Sequence, residues 1–146
     1  MLDAGAGESL AEVLRNQLDL TGVKRGCDSG GCGMCTIVLD GKCVYSCMTP
    51  FWKAEGKSVM TVEGLQKHGK YDELQDSFLK NSAPQCGYCT PAMLLASKAL
   101  IENSIDSSPT EEEIRDGLCG VLCRCTGYTP YLDAVREVIY RTNKEK

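Results

Sequence analysis

Apolar positions along the chain change rhythm part-way, from short alternating runs to helical repeats. Near the start, Leu10, Val13, Leu14 and Leu18 recur on one helical face behind Ser9 and Glu12, which form a Ser-x-x-Glu capping box. A short amphipathic helix is predicted there. Thr36-Ile37-Val38-Leu39 and Lys42-Cys43-Val44-Tyr45 flank Asp40-Gly41, a dipeptide that favours a two-residue hairpin turn. Ser58-Val59-Met60-Thr61-Val62 reads as a third strand. After the polar, glycine-flanked stretch Gly64-Leu65-Gln66-Lys67-His68-Gly69-Lys70 the signals are helical, and three or four helices are expected. Thr90 before Pro91 and Thr129 before Pro130 are the expected caps of two of them, and Thr110 with Glu113 makes another capping box. Leu94, Leu95, Ala99, Leu100 and Ile101 fit core positions of the first of these. The change of rhythm divides the chain into residues 1–68 and 69–146.

Composition narrows the class. The 146 residues are 42% hydrophobic, enough for a modest core, and the net charge of −4 is spread among interspersed acids and bases, which argues against nucleic acid. Ten cysteines would suit a secreted disulfide framework, but Met1 to Glu8 offers neither a basic start nor an apolar signal stretch. Reduced thiols in a cytoplasmic compartment are therefore expected, and no apolar run is long enough to span a bilayer. His68, the single histidine, falls in the polar linker and is expected to be solvated. Neither a Ser/His/Asp arrangement, nor a phosphate loop, nor a paired acid and base occurs, so the chain alone is expected to transform no substrate.

Eight of the cysteines fall into two sets of four. Cys27-x4-Cys32-x2-Cys35 followed by Cys47 has the plant-type spacing that holds a 2Fe-2S cluster, and Cys86-x2-Cys89 followed by Cys123-x-Cys125 supplies four more thiols. Gly26, Gly30, Gly31 and Gly33 interleave with the first set, allowing backbone amides to turn toward sulfur. The hairpin register decides the fourth ligand: pairing Val38 with Cys43 brings Cys47 back beside Met34 and Cys35. At about 3.3 Å per residue, Cys43 lies roughly 10 Å up the ribbon. In the second set a helical turn would place Cys86 and Cys89 on one face, and an extended segment would present Cys123 and Cys125 to one side. Cys119 is expected to be a buried structural thiol, and Phe51 and Trp52 an aromatic cap on the core or a partner contact. A C-x-x-C pair alone suits zinc or a redox dithiol equally well, so a zinc-stabilised binding module is an alternative.

The stretches Gly26-Cys27-Asp28-Ser29-Gly30-Gly31-Cys32-Gly33-Met34-Cys35-Thr36, Gln85-Cys86-Gly87-Tyr88-Cys89-Thr90-Pro91 and Leu122-Cys123-Arg124-Cys125-Thr126-Gly127-Tyr128 closely resemble the iron–sulfur small subunit of molybdenum hydroxylases, the xanthine oxidase and xanthine dehydrogenase family. The resemblance implies an α+β chain: a ferredoxin-like β-grasp domain with the loop cluster, then a four-helix domain with the second cluster. It also implies a large partner subunit carrying molybdopterin, with Gln85 hydrogen-bonded to the pterin and Cys125 nearest its edge. Electrons would pass from molybdenum through the Cys86/Cys89/Cys123/Cys125 cluster to the Cys27/Cys32/Cys35/Cys47 cluster, and on to a flavin (an FAD on another subunit) or an external acceptor. A free-standing two-cluster ferredoxin is the alternative. Family members usually begin with a β-hairpin ahead of the first helix, and that hairpin is expected to be missing here, through true loss or a misplaced start codon. Val59–Val62 is therefore expected at a sheet edge, covered by another polypeptide or open to solvent.

Overall fold

The computed structural model describes residue 5 and residues 7–66, 72–104 and 109–144. His68 and most of the linker lie outside them. Helix α1 (Leu10–Asn16) precedes strands β1 (Thr36–Leu39), β2 (Lys42–Tyr45) and β3 (Val59–Met60); helices α2 (Glu73–Lys80), α3 (Thr90–Asn103), α4 (Glu111–Cys119) and α5 (Thr129–Lys144) follow. No helix among the described residues is long and apolar enough to cross a membrane.

The hairpin forms in the expected register. Thr36 pairs with Tyr45 and Val38 with Cys43, around Asp40 at φ +48° and Gly41 at φ +78°. Positive φ at both turn residues matches the twist of the flanking strands, and glycine adopts it without steric penalty. The sheet order is β2-β1-β3, and among the described residues β3 pairs with β1 alone, so it is an edge as expected. It is shorter than predicted, because the chain winds into a 3-10 turn at Val62–Leu65.

Strand β1 is buried along its whole length. Ile37 packs with Leu10 and Leu14 of α1, whereas Val38 joins the helical core with Met93, Leu95 and Leu118. A strand covered on both faces explains its unbroken apolar run. It also makes β1 a wall shared by the two halves. On the helical side the Phe78 and Tyr131 rings meet at 5.2 Å and 57°, and the Ser77 hydroxyl, between α2 and α5, lies 2.9 Å from the Ala134 carbonyl and 2.8 Å from Glu137. Leu94, Leu95 and Ala99 are buried, with Leu100 and Ile101 packed against the same core.

Helix starts match expectation in part. Ser9 with Glu12 and Thr110 with Glu113 make both predicted capping boxes. Thr90 does not cap α3. It is the first helical residue, with Cys89 at the cap, and its hydroxyl lies 3.3 Å from the Tyr131 oxygen instead. Thr129 likewise begins α5, after Tyr128 at φ +70°. A capping box that the sequence reading missed, Asp72 with Gln75, opens α2, and the Asp72 carboxylate also lies 3.2 Å from Lys98 Nζ. Asp72→Ala is expected to destabilise the protein by about 1 kcal/mol. The thermal midpoint checks this, and an unchanged midpoint would contradict it.

Candidate metal centres

The first cysteine set is assembled by the hairpin. Cys35 immediately precedes β1 and Cys47 lies in the 3-10 turn Ser46–Met48 that follows β2. The Ser46 amide and hydroxyl both donate to the Cys35 carbonyl, at 3.2 and 2.7 Å. This closes the base of the ribbon and makes the Cys35 and Cys47 thiols hydrogen-bonding neighbours. Cys27 and Cys32 form a second such pair. Backbone amides face these sulfurs: Ser29 N–H donates to Cys27 Sγ at 3.4 Å and Met34 N–H to Cys32 Sγ at 3.5 Å. The Ser29 hydroxyl and amide draw the exposed Cys27 thiol down to about 6, whereas burial and then the Cys35 thiol push Cys47 up to about 11.

The second set lies in two segments of the helical half, one leading into α3 and one between α4 and α5. Cys89 is the cap residue of α3, buried, with Tyr131 Oη 3.3 Å from its sulfur. Burial pushes the Cys89 thiol up to about 11 and pushes the Tyr131 phenol up as well. Tyr131 therefore keeps its proton, and toward a Cys89 thiolate only the phenol can donate. Placement at a helix N-terminus further favours negative charge on this sulfur. Cys123 pairs with Cys89; burial raises its pKa, but the Thr126 hydroxyl at 3.2 Å and the amides of Cys125 and Thr126 outweigh this and leave it lowered. The exposed Cys86 and Cys125 form the outer pair, and the Cys86 thiol beside it raises the Cys125 pKa.

Two local expectations fail here. Cys86 and Cys89 are not on a helical turn: the chain reverses through Gly87 at φ +83° before α3 begins. The Cys123–Cys125 segment bends at Arg124 and Cys125 instead of running straight. Both departures let the two segments wrap toward one another.

The thiols meet in pairs. Cys35 meets Cys47 and Cys27 meets Cys32, while Cys89 meets Cys123 and Cys86 meets Cys125, and within each set charge interactions also link one pair to the other. Each set thus offers the four thiols that a 2Fe-2S cluster takes as ligands. The remaining cysteines stand apart. Cys43 is exposed on β2, its sulfur 3.9 Å from the Leu95 carbonyl. Cys119, expected to be buried, is exposed, and its thiol bonds the Asp116 carbonyl at 3.0 Å. Serine at both positions is expected to leave iron content unchanged; iron loss from either single variant would show that it serves a cluster. Gln85 is exposed beside Cys86. Phe51 packs onto the α1 core, while Trp52 is 61% exposed.

The two sets touch. Leu122 N–H donates to the Cys32 carbonyl at 2.9 Å, joining the residue before Cys123 to a member of the first set. Tyr88 Oη donates to the Arg25 carbonyl at 2.7 Å, and Tyr45 Oη to the Gly120 carbonyl at 3.1 Å. Sequence reasoning missed Tyr45, Tyr88, Tyr128 and Tyr131. Tyr128 Oη accepts from the Cys123 amide at 2.8 Å, and its place three residues before Tyr131 at a helix start was the available signal.

A small sheet bearing one cysteine set, joined to helices bearing the other, defines a protein with two iron–sulfur centres. Residues 1–60 match the model of a 2Fe-2S iron-sulfur cluster binding domain, and residues 61–136 match that of a 2Fe-2S binding domain. The chain is 46% identical over 130 residues to the nicotine 6-hydroxylase small subunit of Paenarthrobacter nicotinovorans, covering 89% of this chain and 77% of the relative. It is 43% identical over 134 residues to the xanthine dehydrogenase iron-sulfur-binding subunit of Escherichia coli O157:H7, covering 92% and 84%. The crystal structure of quinoline 2-oxidoreductase from Pseudomonas putida 86 superposes with a TM-score of 0.88 at 42% identity, covering 97% of this chain and 87% of that one. The chain belongs to the 2Fe-2S binding family of the iron–sulfur subunits of molybdenum hydroxylases, the xanthine dehydrogenase-type oxidoreductases.

Proposed function

We propose that the chain is the electron-transfer subunit of a molybdenum–pterin oxidoreductase. Cys27, Cys32, Cys35 and Cys47 hold one 2Fe-2S cluster; Cys86, Cys89, Cys123 and Cys125 hold the other. Each cluster, when bound, takes up and passes on a single electron. The two halves, residues 1–68 and 69–146, carry one cluster each, a division supported by family matches that meet at residues 60 and 61.

One observation supports the relay. The two sets adjoin, since Leu122 beside Cys123 is bonded to the Cys32 carbonyl, and each set also reaches the surface, at Cys27 in the first and at Cys86 and Cys125 in the second. The outer face, with Gln85, Tyr88 at 46% exposure and Leu122 at 52%, docks the molybdopterin subunit. There Gln85 presents an amide to the pterin and Cys125 is the nearest thiolate. Backbone amides and the Tyr131 phenol stabilise negative charge on the sulfurs, and these hydrogen bonds tune the potentials. The first set passes electrons on to an FAD-bearing subunit or an external acceptor.

Native purification tests this reading. The chain is expected to elute in a large complex with a molybdopterin-bearing subunit, and Leu122→Glu to release it as a small brown protein that keeps both clusters. A native chain that elutes alone at monomer size would instead establish a free-standing ferredoxin.

A further inference from the structure

Contacts between the two cysteine loops are unusually close. A Cβ built on Gly33, at φ +68°, would sit 2.0 Å from the Gly120 carbonyl oxygen and 3.0 Å from Val121 Cα, so backbone lies directly on backbone. On Gly120 itself a Cβ would meet only Tyr45, with Oη at 2.5 Å and Cζ at 3.7 Å. Gly120 has φ −72° and ψ −9°, values any residue adopts, so its constraint is this side-chain contact and not its backbone. The Tyr45 hydroxyl both donates to Gly120 and occupies the space a larger residue would need. Tyr88 provides a second strap. It lies between Cys86 and Cys89 and bonds Arg25, two residues before Cys27. Each strap thus ends close to a cysteine of one set and crosses to the other half.

From this geometry we infer that Tyr45, Tyr88 and Gly120 are positioning residues, which clamp the two cysteine loops and fix the separation and orientation of the two sets. The inference rests on both sets holding clusters, as proposed above. Two neighbouring paramagnetic centres split each other's resonances, and the dipolar part of that splitting falls with the cube of their separation. A clamp therefore has a spectroscopic readout that a merely stabilising contact would leave unmoved.

The test is electron paramagnetic resonance on the fully reduced, cluster-loaded full chain. Gly120→Ala is expected to keep both cluster signals but lose the wild-type splitting between them. Adding Tyr45→Phe removes the one atom that the new methyl strikes, so the double variant is expected to recover the splitting to the level of Tyr45→Phe alone. Wild-type splitting in Gly120→Ala, or a double variant whose splitting differs from that of Tyr45→Phe alone, would overturn the clamp. Tyr45→Phe with Tyr88→Phe, which removes both hydroxyl straps and adds no bulk, keeps the question decidable if Gly120→Ala fails to fold. Broadened splitting supports the clamp, and an unchanged spectrum defeats it. A wild-type chain with fewer than two clusters, reported separately by iron content, overturns the underlying reading and the clamp with it.

Discussion

Cys89→Ser is expected to abolish the second centre and leave the first intact, lowering iron from about four atoms per chain to about two. Cys89 is the most enclosed thiol of its set, at the cap of α3 with Tyr131 over its sulfur. A serine there buries a weakly acidic hydroxyl where a thiolate ligand is needed, and the other three thiols of the set are already taken as ligands. The first set is built by a different element, the β1–β2 hairpin, so its paramagnetic signal should persist. Iron analysis with spectroscopy checks both halves of this expectation. Retention of all the iron would remove Cys89 from the ligand set, and loss of both signals would show that the two centres do not assemble independently.

Gly33→Ala is the second large effect. Left-handed backbone costs a non-glycine residue roughly 1–2 kcal/mol, and here the added methyl would also overlap the Gly120 carbonyl at 2.0 Å. Backbone on both sides cannot rotate away as a side chain can. A total loss of about 4 kcal/mol or more is expected, with the first cluster lost or poorly incorporated. Thermal unfolding and the loop cluster's signal report it together. A variant within about 0.5 kcal/mol of wild type, like an ordinary surface change, would mean that the two loops do not meet in this way.

Legibility in the sequence followed the range of the interaction. Asp40-Gly41 with flanking β residues determines the hairpin register locally, and the register in turn placed Cys47, not Cys43, beside Cys35. Capping boxes at Ser9 and Thr110 were equally local. Cys119 was misjudged although its neighbours hold the answer: Ile114 and Leu118 define the buried stripe of α4, and Cys119 falls one residue off it. Thr90 was misjudged for a different reason, because Tyr131, distant in sequence, competes for its hydroxyl. The glycines around the first set were read as freeing amides to face sulfur. For Gly33 the stronger demand is its contact with Gly120, which no local pattern announces. Tyr45 and Tyr88 escaped notice likewise, since their partners lie in the opposite half.

Anaerobic purification followed by metal and acid-labile sulfide analysis tests the two-cluster assignment most directly. A brown protein with about four irons and a matching amount of labile sulfide per chain, in two spectroscopically distinct environments, is the result predicted. A colourless chain loaded with zinc, or one whose eight thiols are joined as disulfides, would contradict it.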